Sequence, residues 1–170
     1  MTRRDLIHKW FVYALALLPV WLLDAYILPR YPLFGFTPTL LPVAAVTVAV
    51  LEGAYAGTGF GMAVGLLWEV AYPGGFGGSV FFLALMGTAT GTAAQLALSQ
   101  TLPGCLLCCG GVLAVLGGLH VASGLLRDLA TLPELLQVAV PEFCLSFAWT
   151  PFIYLLFRAV YRRVGGTKLA

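Results

Sequence analysis

The sequence predicts an all-α integral membrane protein: six transmembrane helices in a single domain over residues 1–170, with both termini in the cytoplasm. Three observations lead there. Hydrophobic residues make up 61% of the chain and charged residues 9%, with a mean hydropathy of +0.96, whereas a soluble domain carries about 25% charged residues. Nine basic and seven acidic side chains are too few to clothe a water-facing surface, so lipid must cover most of this one. At about 20 residues per span the apolar sequence divides into six helices. Runs such as VFFLALMGTATGTAAQLAL do not alternate in polarity, which argues against an outer-membrane barrel.

The elements follow from the breaks between apolar runs. The N-terminal TRRDLIHK reads as a positive flank on the first helix rather than an export signal, since a long apolar run follows it without an A-x-A cleavage site. The first span covers residues 10–28 and stops at Pro29-Arg30. The second covers 33–51 and closes at Glu52-Gly53. The third, rich in glycine, covers 54–72 and ends in PGGFGG. The fourth covers 79–99, before Pro103-Gly104. The fifth covers 105–126 and closes at Arg127-Asp128. Residues 129–140, LATLPELLQVAV, form either a short interfacial helix or the lead-in to the sixth span, 141–161. Pro141 suits the first turn of that helix, and Pro151 predicts a kink.

Orientation follows from the basic residues. With the N-terminus inside, Arg3, Arg4, Lys9, Arg158, Arg162, Arg163 and Lys168 are cytoplasmic, and Arg30 and Arg127 lie outside. Trp10, Tyr26, Tyr31, Tyr72 and Tyr161 fall at span ends, as interfacial belts require.

The third span carries a ridge. Gly53, Gly57, Gly61 and Gly65 recur every fourth residue, and the next step reaches Glu69. Each such step advances about 40° around a helix, so the ridge winds through about 160° and suits a neighbour crossing in the right-handed, GxxxG sense. Span four offers a matching surface in Ala84, Gly87, Thr88, Gly91, Thr92 and Gln95. Lipid gives helices little hydrophobic reason to associate, so close backbone approach must supply the packing. Spans three and four are therefore expected to pack tightly through Gly53, Gly57, Gly61, Gly65, Gly87 and Gly91.

Four ionisable residues share one depth. Asp24, Glu69, His120 and Glu142 lie on four different spans, each within roughly 10 Å of the outer interface at 1.5 Å rise per residue. Charged groups inside a bilayer are costly and usually face a bundle interior or cavity, so these four are candidates for an outward-facing partner or ligand site. Each also has a plainer explanation. Asp24 can snorkel or pair with Arg30. Glu142 follows a helix-starting proline, where the helix dipole favours an anion. His120, beside Gly117 and Gly118, can serve as an interhelical hydrogen bonder. Glu69, flanked by Trp68 and Val70, can pair with His120 or Arg127. A ligand for three acids would be cationic.

Other chemistry finds little purchase. A net charge of +2 gives no nucleic-acid footprint. Cys105-x-x-Cys108 lacks a second pair, and Cys105, Cys108, Cys109 and Cys144 all sit in apolar runs as small hydrophobes. No metal or cofactor site is expected. The sequence has no HExxH, phosphate loop or aspartate-rich element, and Ser123 and Ser146 stand in no motif, so no enzyme is expected.

The run from Pro38 to Gln95 resembles the MreD family, small membrane subunits of the bacterial rod-shape machinery, or elongasome. In that family a G-x-x-x-G-F-x-x-G-L-L-x-D pattern opens the third helix. Here Gly57, Gly61, Gly65, Leu66 and Leu67 fit it, with Met62 at the aromatic position and Glu69 in place of the aspartate. The basic N-terminus, the proline-bearing second span and LMGTATG at residues 85–91 add to the likeness. It implies a non-catalytic scaffold of peptidoglycan synthesis in the bacterial cytoplasmic membrane. The partners it implies are a MreC-like protein, the SEDS glycosyltransferase with its transpeptidase, and the actin-like MreB filament. The alternative is a substrate-binding S-component of an energy-coupling-factor vitamin transporter. Those proteins share the size and helix arrangement and open their ligand site outward, but the A-x-x-x-A contact common in their first helix is missing here.

Overall fold

The computed structural model describes residues 3–31, 35–72, 78–96, 101–127 and 131–164. They form six helical rods. The first, α1 (Arg3–Leu22), runs on through one π-helical turn at Leu23–Ile27 and a last α-turn at Leu28–Arg30. It is followed by α2 (Leu40–Glu52), α3 (Ala54–Ala71), α4 (Ser79–Leu96), α5 (Leu102–Leu126) and α6 (Leu132–Val164).

Four segments, Ile7–Arg30, α4, α5 and α6, are long and apolar enough to cross a membrane, so this is a membrane protein by length and composition. The other two helices differ for physical reasons. α2 has 13 residues, about 20 Å, against a hydrocarbon core of about 30 Å. It compensates by position: every residue from Leu40 to Leu51 is buried, and α1, α3, α4, α5 and α6 all pack against it. A helix apolar all round belongs in such a centre. α3 has 18 residues, but glycines, Trp68 and Glu69 dilute its hydropathy.

The rods alternate in direction. Lys9 near the start of α1 meets Glu52 at the end of α2, Asp24 near the end of α1 meets Leu40 at the start of α2, and Gly57 meets Gly87 across antiparallel α3 and α4. Tyr13 of α1 stacks on Phe157 of α6 with ring centroids 6.2 Å apart, and Phe60 packs edge-on against both rings. The beginning of α1 and the end of α6 thus share one end of the bundle.

Two expected boundaries move. The sequence places the start of span two at residue 33; among the described residues its helix begins at Leu40, with residues 35–39 outside it and the backbone at Thr39 extended. α6 starts at Leu132, so Pro141 lies nine residues inside it and not in its first turn. The reason is local: Pro133 takes the first turn, and the Glu134 carboxylate accepts the backbone N–H of Thr131 at 2.9 Å, one half of a capping box. Residues 132–140 are therefore part of the sixth helix, which stays helical through Pro141 and Pro151. The expected turn at 73–77, the end of span four at 97–99, Asp128 and Lys168 lie outside the described residues.

Candidate functional site

The glycine ridge is where backbone meets backbone. A methyl group added at Gly57 would stand 2.6 Å from the Ala49 Cβ and 2.7 Å from the Gly87 carbonyl oxygen. At Gly61 it would meet the Leu83 carbonyl, at 2.9 Å from its carbon, and at Gly65 the Val80 amide nitrogen, also at 2.9 Å. From the other side, a methyl at Gly87 would stand 2.8 Å from the Gly57 carbonyl carbon, and one at Gly91 2.6 Å from Ala54 Cα. Real side chains almost never approach so closely. The Thr58 and Thr88 hydroxyls, 2.8 Å apart, add a hydrogen bond across the same seam. Gly53 does a different job. It is the single residue between α2 and α3, with φ +93°, a backbone state open to glycine and strained for other residues. The side chain of Gln95 fills the space where its Cβ would be.

At the end of the bundle holding the chain's start, sequence reasoning missed a buried polar cluster. Lys9 and Glu52 form an ion pair whose side chains are 8% and 4% exposed. The Tyr13 hydroxyl donates to the other Glu52 oxygen at 2.7 Å. By sequence, Glu52 marks a span boundary and Lys9 belongs to a cytoplasmic flank. Both lie at the same end of antiparallel spans, and that coincidence was the available signal.

The four expected polar residues lie toward the opposite end. Asp24 is buried in the π-helical turn, and its Oδ1 accepts the backbone N–H of Leu40 at 2.6 Å. It caps the first turn of α2 from another helix, in place of the N-cap side-chain bond that Thr39 does not make. Its Oδ2 has no hydrogen-bond partner, and the Tyr72 hydroxyl donates to its backbone carbonyl at 3.2 Å. Asp24 therefore engages α2 rather than Arg30, which is exposed. Glu69 is half-buried, and its Oε1 also lacks a partner, so the expected pairing with His120 or Arg127 does not satisfy that oxygen.

His120 and Glu142 meet in one cleft. Its wall is made by Trp68 of α3, Leu113, Leu116 and Gly117 of α5, and Phe143 and Ser146 of α6, with Thr39 at its edge. Buried Ser146 ties the floor together: its Oγ accepts the Thr39 N–H at 2.9 Å and donates to the Glu142 carbonyl at 2.7 Å. Glu142 is half-buried and His120 exposed. Asp24 braces a helix start, Glu69 stands with an unpartnered oxygen, and His120 and Glu142 line one cavity.

The cysteines divide. Cys105, Cys108 and Cys109 are buried, as small hydrophobes would be, but Cys144 is exposed, and all four are free thiols. Cys105 lies 3.7 Å from the Thr47 hydroxyl and 3.9 Å from the Cys109 sulfur. Among the described residues no group of three potential ligands could hold a metal ion.

No family model matches this chain, and no curated protein or solved structure matches it.

Proposed function

We propose that this protein is a non-catalytic scaffold subunit of the cell-wall elongation machinery in a bacterial cytoplasmic membrane. It would hold a MreC-like protein beside the SEDS glycosyltransferase and its transpeptidase, with MreB filaments at the cytoplasmic face. One observation carries the reading. The run from Gly57 to Glu69, where the MreD likeness is strongest, is the seam that fixes α3 on α4, and it ends in a half-buried carboxylate with an unpartnered oxygen. A spine of direct backbone contact gives partners a fixed helical surface, and an unsatisfied polar group at its end favours a partner that completes it.

The experiment is affinity purification of the tagged chain from its native membrane. Recovery of a MreC-like protein and a SEDS synthase is expected, and so is loss of rod shape on depletion of the chain. Glu69→Gln should weaken the partner's recovery. Normal shape after depletion, with neither partner recovered, would refute the scaffold reading.

One observation favours the S-component alternative: the cleft that opens between α5 and α6 beside Trp68. That reading requires an ATPase-coupling transmembrane partner in the same purification, and a vitamin released on denaturation.

A further inference from the structure

The cleft joins two kinds of surface. Trp68, Leu113, Leu116 and Phe143 give it apolar lining, and Glu142 lines it as well; one side of the Trp68 ring packs on Tyr72, centroids 4.9 Å apart. Phe143 is held in place by stacking on Phe147, ring centroids 6.0 Å apart. Among the described residues no basic side chain forms an ion pair with Glu142. Ser146 and Thr39 do not compensate it either. Their hydrogen bonds run to one another and to backbone groups, Ser146 giving its proton to the Glu142 carbonyl rather than to the carboxylate. The floor is thus fixed by its own bonds, and among the described residues none of them reaches the Glu142 carboxylate.

A carboxylate on a membrane-spanning helix, among aromatic rings, is costly unless a cation accompanies it. The face of a Trp ring attracts cations for the same electrostatic reason. We propose that this cleft binds an organic cation, an ammonium group carried on an apolar body. The ammonium sits between the Glu142 carboxylate and the Trp68 ring, and the body lies along Leu113, Leu116 and Phe143. His120 lines the same cleft. The site stands whether the protein works as a scaffold or as a transporter component, since it needs only the folded chain.

The test is a calorimetric titration of 2-phenylethylammonium into the full-length protein in phosphatidylglycerol nanodiscs, with empty nanodiscs subtracted. Saturable binding is expected, with the neutral isostere 2-phenylethanol at least tenfold weaker. Glu142→Gln should weaken the cation at least tenfold, and Trp68→Leu should weaken it while Trp68→Phe retains most of the affinity. Melting temperatures taken without the probe establish that each variant is folded. Equal binding of amine and alcohol, unchanged binding by a folded Glu142→Gln variant, or no saturable binding by the folded wild type would overturn the proposal. A second arm identifies the natural source. Competition by phosphatidylethanolamine nanodiscs assigns the ammonium to a lipid headgroup, and undiminished probe binding in them assigns it to a soluble amine.

Discussion

Lys9 and Glu52, 43 residues apart, form a buried ion pair that fastens α1 to the end of α2, with the Tyr13 hydroxyl on the second carboxylate oxygen. Glu52 is the last residue of α2, and Gly53 turns the chain into α3 immediately after it. The pair therefore sits at the junction where three helices leave one corner of the bundle. Removing one partner of a buried pair leaves an uncompensated charge, which typically costs about 3–5 kcal/mol. Lys9→Met and Glu52→Gln should each destabilise the protein strongly, and the double variant by less than the sum of the two. A thermal or denaturant unfolding series in detergent, read as a double-mutant cycle, measures this. Single variants within about 0.5 kcal/mol of wild type would show that the pair is not a fastener.

The glycine seam supplies its own control. A side chain at Gly61 must displace the Leu83 backbone, whereas nothing lies within 4 Å of a methyl placed at Gly59 on the same helix. Gly61→Leu should lower stability by about 1–3 kcal/mol or more, as overpacking does. Gly59→Ala should be neutral or slightly stabilising, because alanine loses less backbone entropy than glycine. Equal melting temperatures for the two variants would refute the seam.

Asp24 can be dissected with two substitutions. Asp24→Leu removes the acceptor of the Leu40 N–H and leaves that donor buried and unpaired, at a cost of about 1–3 kcal/mol. Asp24→Asn keeps a carbonyl oxygen there and should lose less. Hydrogen exchange at the Leu40 amide is the direct readout: it should accelerate in the leucine variant and stay slow in the asparagine one. Equal protection in both would mean that the carboxylate does not hold the start of α2.

The two ends of the described chain share one end of the bundle, so reporters fused to either terminus should report the same compartment. With the basic residues of α1 and α6 at that end, the expected compartment is the cytoplasm. Fluorescent-protein fusions bright at both termini, with inactive alkaline-phosphatase fusions, are the expected result. Opposite signals at the two termini would contradict the paired arrangement of α1 and α6.

Much of this was legible in the chain itself. Sixty-one per cent hydrophobic residues with so few charges sufficed for the membrane class, because solvent preference is a property of composition and survives without coordinates. The fourfold glycines pointed to α4 as the neighbour of α3 because helical periodicity turns spacing into a face. The start of α6 is also legible in Thr131 and Glu134, whose spacing is that of a capping box.

What composition and spacing determined was the solvent, the helices and the seam, all of which depend on residues near one another in the chain. The tertiary structure alone decided which helix lies at the centre, where α2 is short yet wholly buried. It also decided the fates of the polar residues: Lys9 found Glu52, Asp24 found Leu40, and His120 and Glu142 met in a cleft without Asp24. The first two share a physical reason. A buried charge or an orphaned N–H needs a partner, and the partner comes from whichever helix packing brings within a few ångströms, a fact that local sequence does not carry.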